Sequence, residues 1–168
     1  MLWLVLALLT AINDCPDSLG PKSNSNIVAK VVPRLEKQGA TTRLSVDVSY
    51  TNAGSTTEGM DHRYFGSSLP GNQPRTDFLW LFDRRSRTWL RYVGPQERLR
   101  ERRRNDYFVI SPGETKTTKD MDVTWNYVLP ASPPDLVAKI MFHSSWPGHF
   151  RGALVESGCV PFERVRAR

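Results

Sequence analysis

The strongest structural signal in the chain is an alternation of apolar and polar residues at positions 44–54, LSVDVSYTNAG. Leu44, Val46, Val48 and Tyr50 alternate with four polar residues. A period of two places one row of side chains in a core and the other toward water, and β-branched and aromatic residues suit a strand. The pattern therefore predicts a β-strand whose apolar face needs a second layer of structure to cover it.

Several further segments have strand-like patterns and are separated by turn residues. We expect strands at positions 27–35, 76–82, 87–93, 107–110, 115–124 and 136–142, and within 151–162. The sequence Ser-Pro-Gly-Glu at 111–114 predicts a turn with proline at its second position, and residues 55–75 predict a long connection. No helical periodicity and no internal repeat is evident. The predicted fold is all-β, an Ig-like antiparallel β-sandwich with long irregular loops.

Local composition adds three expectations about these elements. Pro33 has no amide hydrogen, so the first strand should lie at a sheet edge or end there. Tyr64 and Phe65 should pack on the edge of the sandwich despite lying in the long connection. Unbroken alternation in 115–124 predicts that one face carries Thr115, Thr117, Lys119, Met121 and Val123.

The N-terminal twelve residues are apolar at eleven positions, Thr10 being the exception. This run has the length of a secretory h-region and is shorter than the roughly 20 residues of a spanning helix. We therefore expect a secreted protein with no membrane span, although an N-terminal strand or a wrongly chosen start also fits the pattern. The predicted organisation is a leader at 1–12, a linker at 13–26, the sandwich at 27–162 and a basic tail at 163–168.

The chain has two cysteines, Cys15 and Cys159. Neither has a partner at the spacing of a metal site. In an oxidising compartment they would pair and join the start of the domain to its end, and in the chain-entropy model a loop of this length contributes about 4–5 kcal/mol. Two unrelated thiols remain the alternative.

Sequence motifs for catalysis are absent. There is no H-E-x-x-H, G-x-S-x-G or phosphate-binding glycine loop, and the three histidines, His62, His143 and His149, are not at a standard ligand spacing. Asp120 and Asp122 share a face of a predicted strand, where a solvated surface is favoured over a calcium site because no further acidic ligand is close in sequence. We expect no enzyme activity, no metal and no cofactor.

The main charge feature lies at positions 84–104, which hold nine arginines and two glutamates, a net +7 against +6 for the whole chain. The segment is interpreted as a solvated loop, as a patch for a polyanion such as glycosaminoglycan, nucleic acid or anionic lipid, or as a processing site of the R-x-R-R type. The expected binding residues are Arg98, Arg100, Arg102, Arg103 and Arg104, the expected stacking residues are Trp80, Trp89 and Tyr92, and the expected processing residues are Arg100 and Arg103.

An ordered series of segments resembles a known family. It consists of LSVDVSYTNAG at 44–54, FGSSLPG at 65–71, DFLWLF at 77–82, YVGP at 92–95, DYFVISPGET at 106–115 and Tyr127. Over residues 27–142 this order and spacing is similar to the N-terminal prodomain of the aspzincin, or deuterolysin-like, metalloendopeptidases. The resemblance implies an Ig-like sandwich that assists or restrains a zinc domain. Because the 168 residues contain no zinc motif, it assigns no catalytic or metal residue here.

These observations favour a secreted, non-catalytic binding module that acts on a protein partner, such as a secreted protease, in an inhibitory or chaperone-like way. A polyanion-binding protein that uses the arginine-rich loop is the first alternative. A fragment of a longer secreted metalloprotease is the second.

Overall fold

Short β-strands dominate the computed structural model, which describes residues 25–39, 41–65, 74, 76–96, 107–130, 135–143 and 153–165. Within these residues the strands are β1 (Ile27–Gln38), β2 (Thr41–Asn52), β3 (Glu58–Asp61), β4 (Leu79–Asp83), β5 (Thr88–Trp89), β6 (Tyr107–Ile110), β7 (Thr115–Asp122), β8 (Leu136–His143), β9 (Leu154–Glu156), β10 (Val160–Pro161) and β11 (Glu163–Val165). The same described residues contain 3-10 turns at His62–Tyr64 and Thr124–Asn126. In this part of the chain no helix has the length and apolar character that crossing a membrane requires.

The strands form two main sheets that share one core. The first has the order β11-β1-β2-β7, and the second has the order β10-β8-β4-β5, with β9 beside β10 on the same edge of β8. All pairings are antiparallel except that of β1 with β11. The arrangement β1-β2-β7 facing β5-β4-β8-β9 has the strand order of an immunoglobulin-type sandwich. The predicted all-β, Ig-like fold is thus confirmed, and β3 and β6 form a separate two-stranded ribbon.

Strand β2 is central, as its alternation predicts. Leu44, Val46, Val48 and Tyr50 are all 0% exposed and belong to the common core. The Tyr50 hydroxyl donates to the Tyr64 carbonyl at 2.7 Å, so this buried polar group keeps a partner. Pairing with β1 on one side and β7 on the other leaves β2 no free edge.

The position of Pro33 follows from the register of the β1–β2 hairpin. The Asn52 amide donates to the Glu114 carbonyl at 3.1 Å, away from β1, and Asn52 lies opposite Ile27. In an antiparallel pair the amides alternate in direction, so every second residue of β1 from Ile27, including Pro33, has its backbone nitrogen on the side away from β2. The β1–β2 ladder needs no hydrogen bond from that nitrogen, and proline is therefore tolerated there. Among the described strands only β11 pairs with this edge, starting at Arg34. Pro33 therefore faces a side of β1 that has no described partner at that position, whereas β1 itself continues to Gln38 and lies between β11 and β2.

A β-bulge makes the predicted faces of β7 wrong. The β2–β7 register shifts between Val46 and Val48, and Asp120 on β7 has a φ of 54°. The bulge inserts a residue and reverses the alternation, so Thr118 and Met121 are both buried while Thr117 is exposed. A left-handed residue in the middle of a strand leaves no mark on a simple apolar-polar pattern.

Other segments differ from the sequence expectations in extent. The long connection predicted at 55–75 contains β3 and a 3-10 turn, because Gly59 and Met60 are buried against β6 and the core. The turn at 62–64 still packs Tyr64 against Phe142, with ring centroids 3.9 Å apart, which confirms the expected contact of Tyr64 with the sandwich. The predicted basic tail at 163–168 begins with β11.

The turn at 111–114 is as predicted. The Glu114 amide donates to the Ser111 carbonyl at 2.9 Å, and the Glu114 carboxylate accepts from the Ser111 amide at 2.8 Å. Gly113 has a φ of 75°, the conformation that the third position of a type II turn requires and that glycine adopts without strain.

Candidate functional site

Most of the interaction residues predicted from the sequence fall outside the described residues. This applies to the expected binding and processing arginines, Arg98, Arg100, Arg102, Arg103 and Arg104, and also to Cys15 and His149. Cys159 is described: its sulfur is disulfide-bonded, and the residue packs against Phe82 and Val137. Its pairing with Cys15 stays a prediction.

The polar groups considered for chemistry are held in structural contacts. Asp120 and Asp122 both lie beside Arg43, at 3.0 Å and 3.5 Å from its guanidinium nitrogens. In the neighbouring pair, Arg34 holds Asp47 through two hydrogen bonds, which lowers the pKa of the Asp47 carboxyl. Both acids of β7 are therefore paired with a single arginine on the sheet surface. Within the described ranges no three His, Cys, Asp or Glu residues are grouped as metal ligands would be.

The most unusual surface feature is an exposed tryptophan on the link between β7 and β8. Trp125 is 76% exposed. Val128, on the same link, is 47% exposed, and Val93, on the segment after β5, is 51% exposed. We call these three residues the Trp125 ribbon. Large aromatic side chains normally lie at least partly in the core, and Trp125 is an exception among the described residues.

The backbone under the Trp125 ribbon is fixed by hydrogen bonds. Residues 91–93 and 126–128 pair through a Tyr92–Tyr127 bridge, with the Val93 amide donating to the Asn126 carbonyl at 2.8 Å and the Val128 amide to the Arg91 carbonyl at 3.0 Å. The Tyr127 hydroxyl donates to the Leu79 carbonyl of β4, and burial raises the pKa of that phenol, so it remains a neutral donor.

The residues on either side of Trp125 are anchored inside the protein. The Leu44 amide donates to the Thr124 hydroxyl at 2.9 Å, and Asn126 is only 1% exposed. Gly94 packs closely against Asn126: a Cβ added at Gly94 would lie 2.2 Å from the side-chain Nδ2 of Asn126. The exposed indole is thus carried by a backbone that is held by buried contacts on both sides.

The aromatic residues predicted to assist the arginines divide into two groups. Trp80 on β4 and Trp89 on β5 are brought together, with ring centroids 5.5 Å apart and planes at 84°. Tyr92 instead packs on Tyr127 at 5.4 Å, and its hydroxyl donates to the Pro95 carbonyl at 2.7 Å. The sequence did not point to Trp125, because its polar neighbours Thr124 and Asn126 give no periodic signal.

Comparisons with known proteins do not place the chain in a family: no protein-family model matches it, and no curated protein does so.

Proposed function

We propose that this chain is a secreted, non-catalytic binding module that recognises a protein partner through the Trp125 ribbon. The observation that carries the proposal is the 76% exposure of Trp125 on a support held by Thr124 and Asn126. Tryptophan is among the residues most enriched at the energetic centres of protein interfaces, where it fills a pocket on the partner. Val93 and Val128, on the two segments that pair next to it, are further exposed apolar residues.

Secretion and the class of partner rest on further arguments. The disulfide at Cys159 suits an oxidising compartment, which is also what the apolar leader predicts. The resemblance to aspzincin prodomains makes a secreted zinc protease of that family the first partner to try, with the module inhibiting it or assisting its folding. The acids of the first sheet surface support a non-catalytic role, because Asp47, Asp120 and Asp122 are already paired with arginine.

Replacing Trp125 by alanine tests this proposal. We expect the dissociation constant for a purified aspzincin catalytic domain, measured by calorimetry and by inhibition, to rise roughly 30-fold, because truncating an interface centre typically costs about 2 kcal/mol. The melting temperature should stay nearly unchanged, since the indole is mostly in water. Val109→Ala is the matched control, because Val109 is 51% exposed on β6, outside the ribbon, and its loss should leave affinity unaltered.

Two results would contradict the proposal in different ways. Equal binding by the wild type and Trp125→Ala would show that the ribbon is not the contact surface. If the wild type neither binds nor inhibits the protease, the partner class is wrong.

A second candidate function is polyanion binding by the arginine-rich segment, favoured by the contact between Trp80 and Trp89 close to that segment in sequence. If Arg98, Arg100, Arg102, Arg103 and Arg104 bind the polymer, changing Arg102, Arg103 and Arg104 to alanine should abolish retention on a heparin column. Retention of the wild type should fall steeply as salt rises, because bound arginines release counterions. Unaltered retention of the triple variant would exclude this loop as the site.

A further inference from the structure

The β4–β5 hairpin carries arginines that the described residues do not neutralise. Arg85 and Arg87 in the turn and Arg91 beyond β5 are exposed, and none of them forms an ion pair with another described residue. Arg84, by contrast, is paired with Asp135 at 2.6 Å. The hairpin therefore presents guanidinium groups that can take up an external anion.

The acidic groups around this hairpin are already engaged. The Asp83 carboxylate accepts from the Ser86 hydroxyl at 2.7 Å and from the Arg85 amide at 3.3 Å, which fixes the turn itself. On the same sheet the Glu156 carboxylate is paired with Lys139. Within the described residues neither carboxylate forms an ion pair with Arg85 or Arg87.

The backbone at Arg87 is a second and independent observation. Its φ of 55° lies in the left-handed region, which L-residues adopt at a steric cost and glycine adopts freely. A hairpin turn needs a residue in this conformation, and glycine, asparagine or aspartate usually supplies it. Arg87 therefore holds a conformation that glycine would adopt at lower cost, which supports a use for its side chain.

An aromatic platform lies on β4 and β5, the two strands that the turn with Arg85 and Arg87 connects. Trp80, Phe82 and Trp89 alternate with core residues along β4 and β5 and so face away from the common core. Trp89 contacts both other rings, with centroids 5.5 Å from Trp80 and 5.1 Å from Phe82. Phe82 is buried, and Trp80 and Trp89 are each partly exposed, so the two indoles are the part of the platform that a ligand can reach.

From this combination we infer that the outer face of the β4–β5 hairpin is a binding site for an anionic polysaccharide. Guanidinium groups of Arg85 and Arg87 pair with sulfate or carboxylate groups, for which their planar fork is suited. The apolar face of a sugar ring packs on the indoles of Trp80 and Trp89. The indole planes cross at 84°, so the two rings do not form parallel walls between which a splayed base could stack, and this favours a polysaccharide over a nucleic acid.

This site is distinct from the arginine loop considered above, since it uses only Arg85, Arg87 and their aromatic neighbours, and it does not depend on the protein partner proposed for the Trp125 ribbon. The test uses the full chain and a heparin oligosaccharide, with affinity measured by calorimetry at several salt concentrations. For Arg85→Ala/Arg87→Ala we expect the dissociation constant to rise about 10-fold or more, and the slope of log affinity against log salt to fall by roughly two. Lys30→Ala/Lys37→Ala removes the same charge from exposed positions on β1 and should change affinity less than about threefold.

The single variant Arg87→Gly separates binding from folding. Glycine takes a φ of 55° without strain, so the melting temperature should be unchanged or higher while heparin affinity falls. Unchanged affinity in both hairpin variants, or a loss seen only in Arg102→Ala/Arg103→Ala/Arg104→Ala, would overturn the inference. Equal affinity for single-stranded DNA would show that the ligand class is wrong. Loss of protease binding in Trp125→Ala with heparin binding retained is the expected pattern for two separate surfaces.

Discussion

Replacing Glu156 by alanine should lower the free energy of unfolding by about 3–5 kcal/mol, because it leaves a buried ammonium group without its counter-charge. Lys139 lies in the middle of β8, and its side chain is only 8% exposed. Its ammonium is paired with the Glu156 carboxylate on β9, and within the described part of the chain no second ion pair of Lys139 is present. Urea unfolding followed by tryptophan fluorescence measures the change.

The double variant Lys139→Met/Glu156→Leu is the control for this prediction. Methionine keeps the length of the lysine stem, and a buried ion pair replaced by apolar residues of similar size is often neutral or stabilising. We therefore expect the double variant to recover most of the stability that Glu156→Ala loses. A Glu156→Ala variant within about 0.5 kcal/mol of wild type would show that water reaches the ammonium and that the pair is a surface one.

The same pair shows where sequence reasoning stops. The apolar run at 136–142 predicts β8 correctly, and the interruption at Lys139 does not disturb the pattern. Its counter-charge comes from Glu156, 17 positions later, through the β8–β9 pairing. A local pattern therefore establishes the strand, while the partner of a buried charge depends on which strands become neighbours.

The bulge in β7 and the position of Trp125 illustrate the same limit in two other ways. Strand β2 could be predicted in detail because its core face is set by its own alternation, and the type II turn because Pro112 and Gly113 specify it locally. The left-handed Asp120 is instead stabilised from β2, where Asp47 accepts its amide at 2.8 Å. The turn that carries Trp125 is held by hydrogen bonds to residues far away in sequence, such as Leu44 and Val93. Residues next to Trp125 in the sequence therefore do not indicate that it is exposed.

A second buried ion pair lies in the segment that the sequence presents as a plain connection. Asp61 accepts hydrogen bonds from the Arg63 amide at 2.9 Å, from its Nε at 3.0 Å and from its Nη2 at 2.8 Å. Both side chains are almost fully buried, at 0% and 5% exposure. The pair caps the 3-10 turn at 62–64, and that turn places Tyr64 on Phe142 and its carbonyl under the Tyr50 hydroxyl.

We expect Asp61→Ala to lower the free energy of unfolding by about 3 kcal/mol, since it removes a buried carboxylate from a guanidinium and from the cap of the turn. Because Tyr64 depends on this turn for its place on Phe142, the near-ultraviolet circular dichroism of the tyrosines should weaken as well. Urea unfolding and the dichroism spectrum are the two measurements.

The variant Asp61→Asn separates two contributions to this loss of stability: the hydrogen bond that caps the turn and the ion pair with Arg63. The asparagine side-chain carbonyl can still accept from the Arg63 amide, so the turn and the dichroism of Tyr64 should be kept while the ion pair is lost. The variant should therefore fall between the wild type and Asp61→Ala in stability. If Asn and Ala destabilise equally and both weaken the tyrosine signal, the charge alone holds the turn. If neither variant destabilises the protein or weakens the tyrosine signal, the aromatic packing around Tyr64 holds the segment and the ion pair contributes little to its stability.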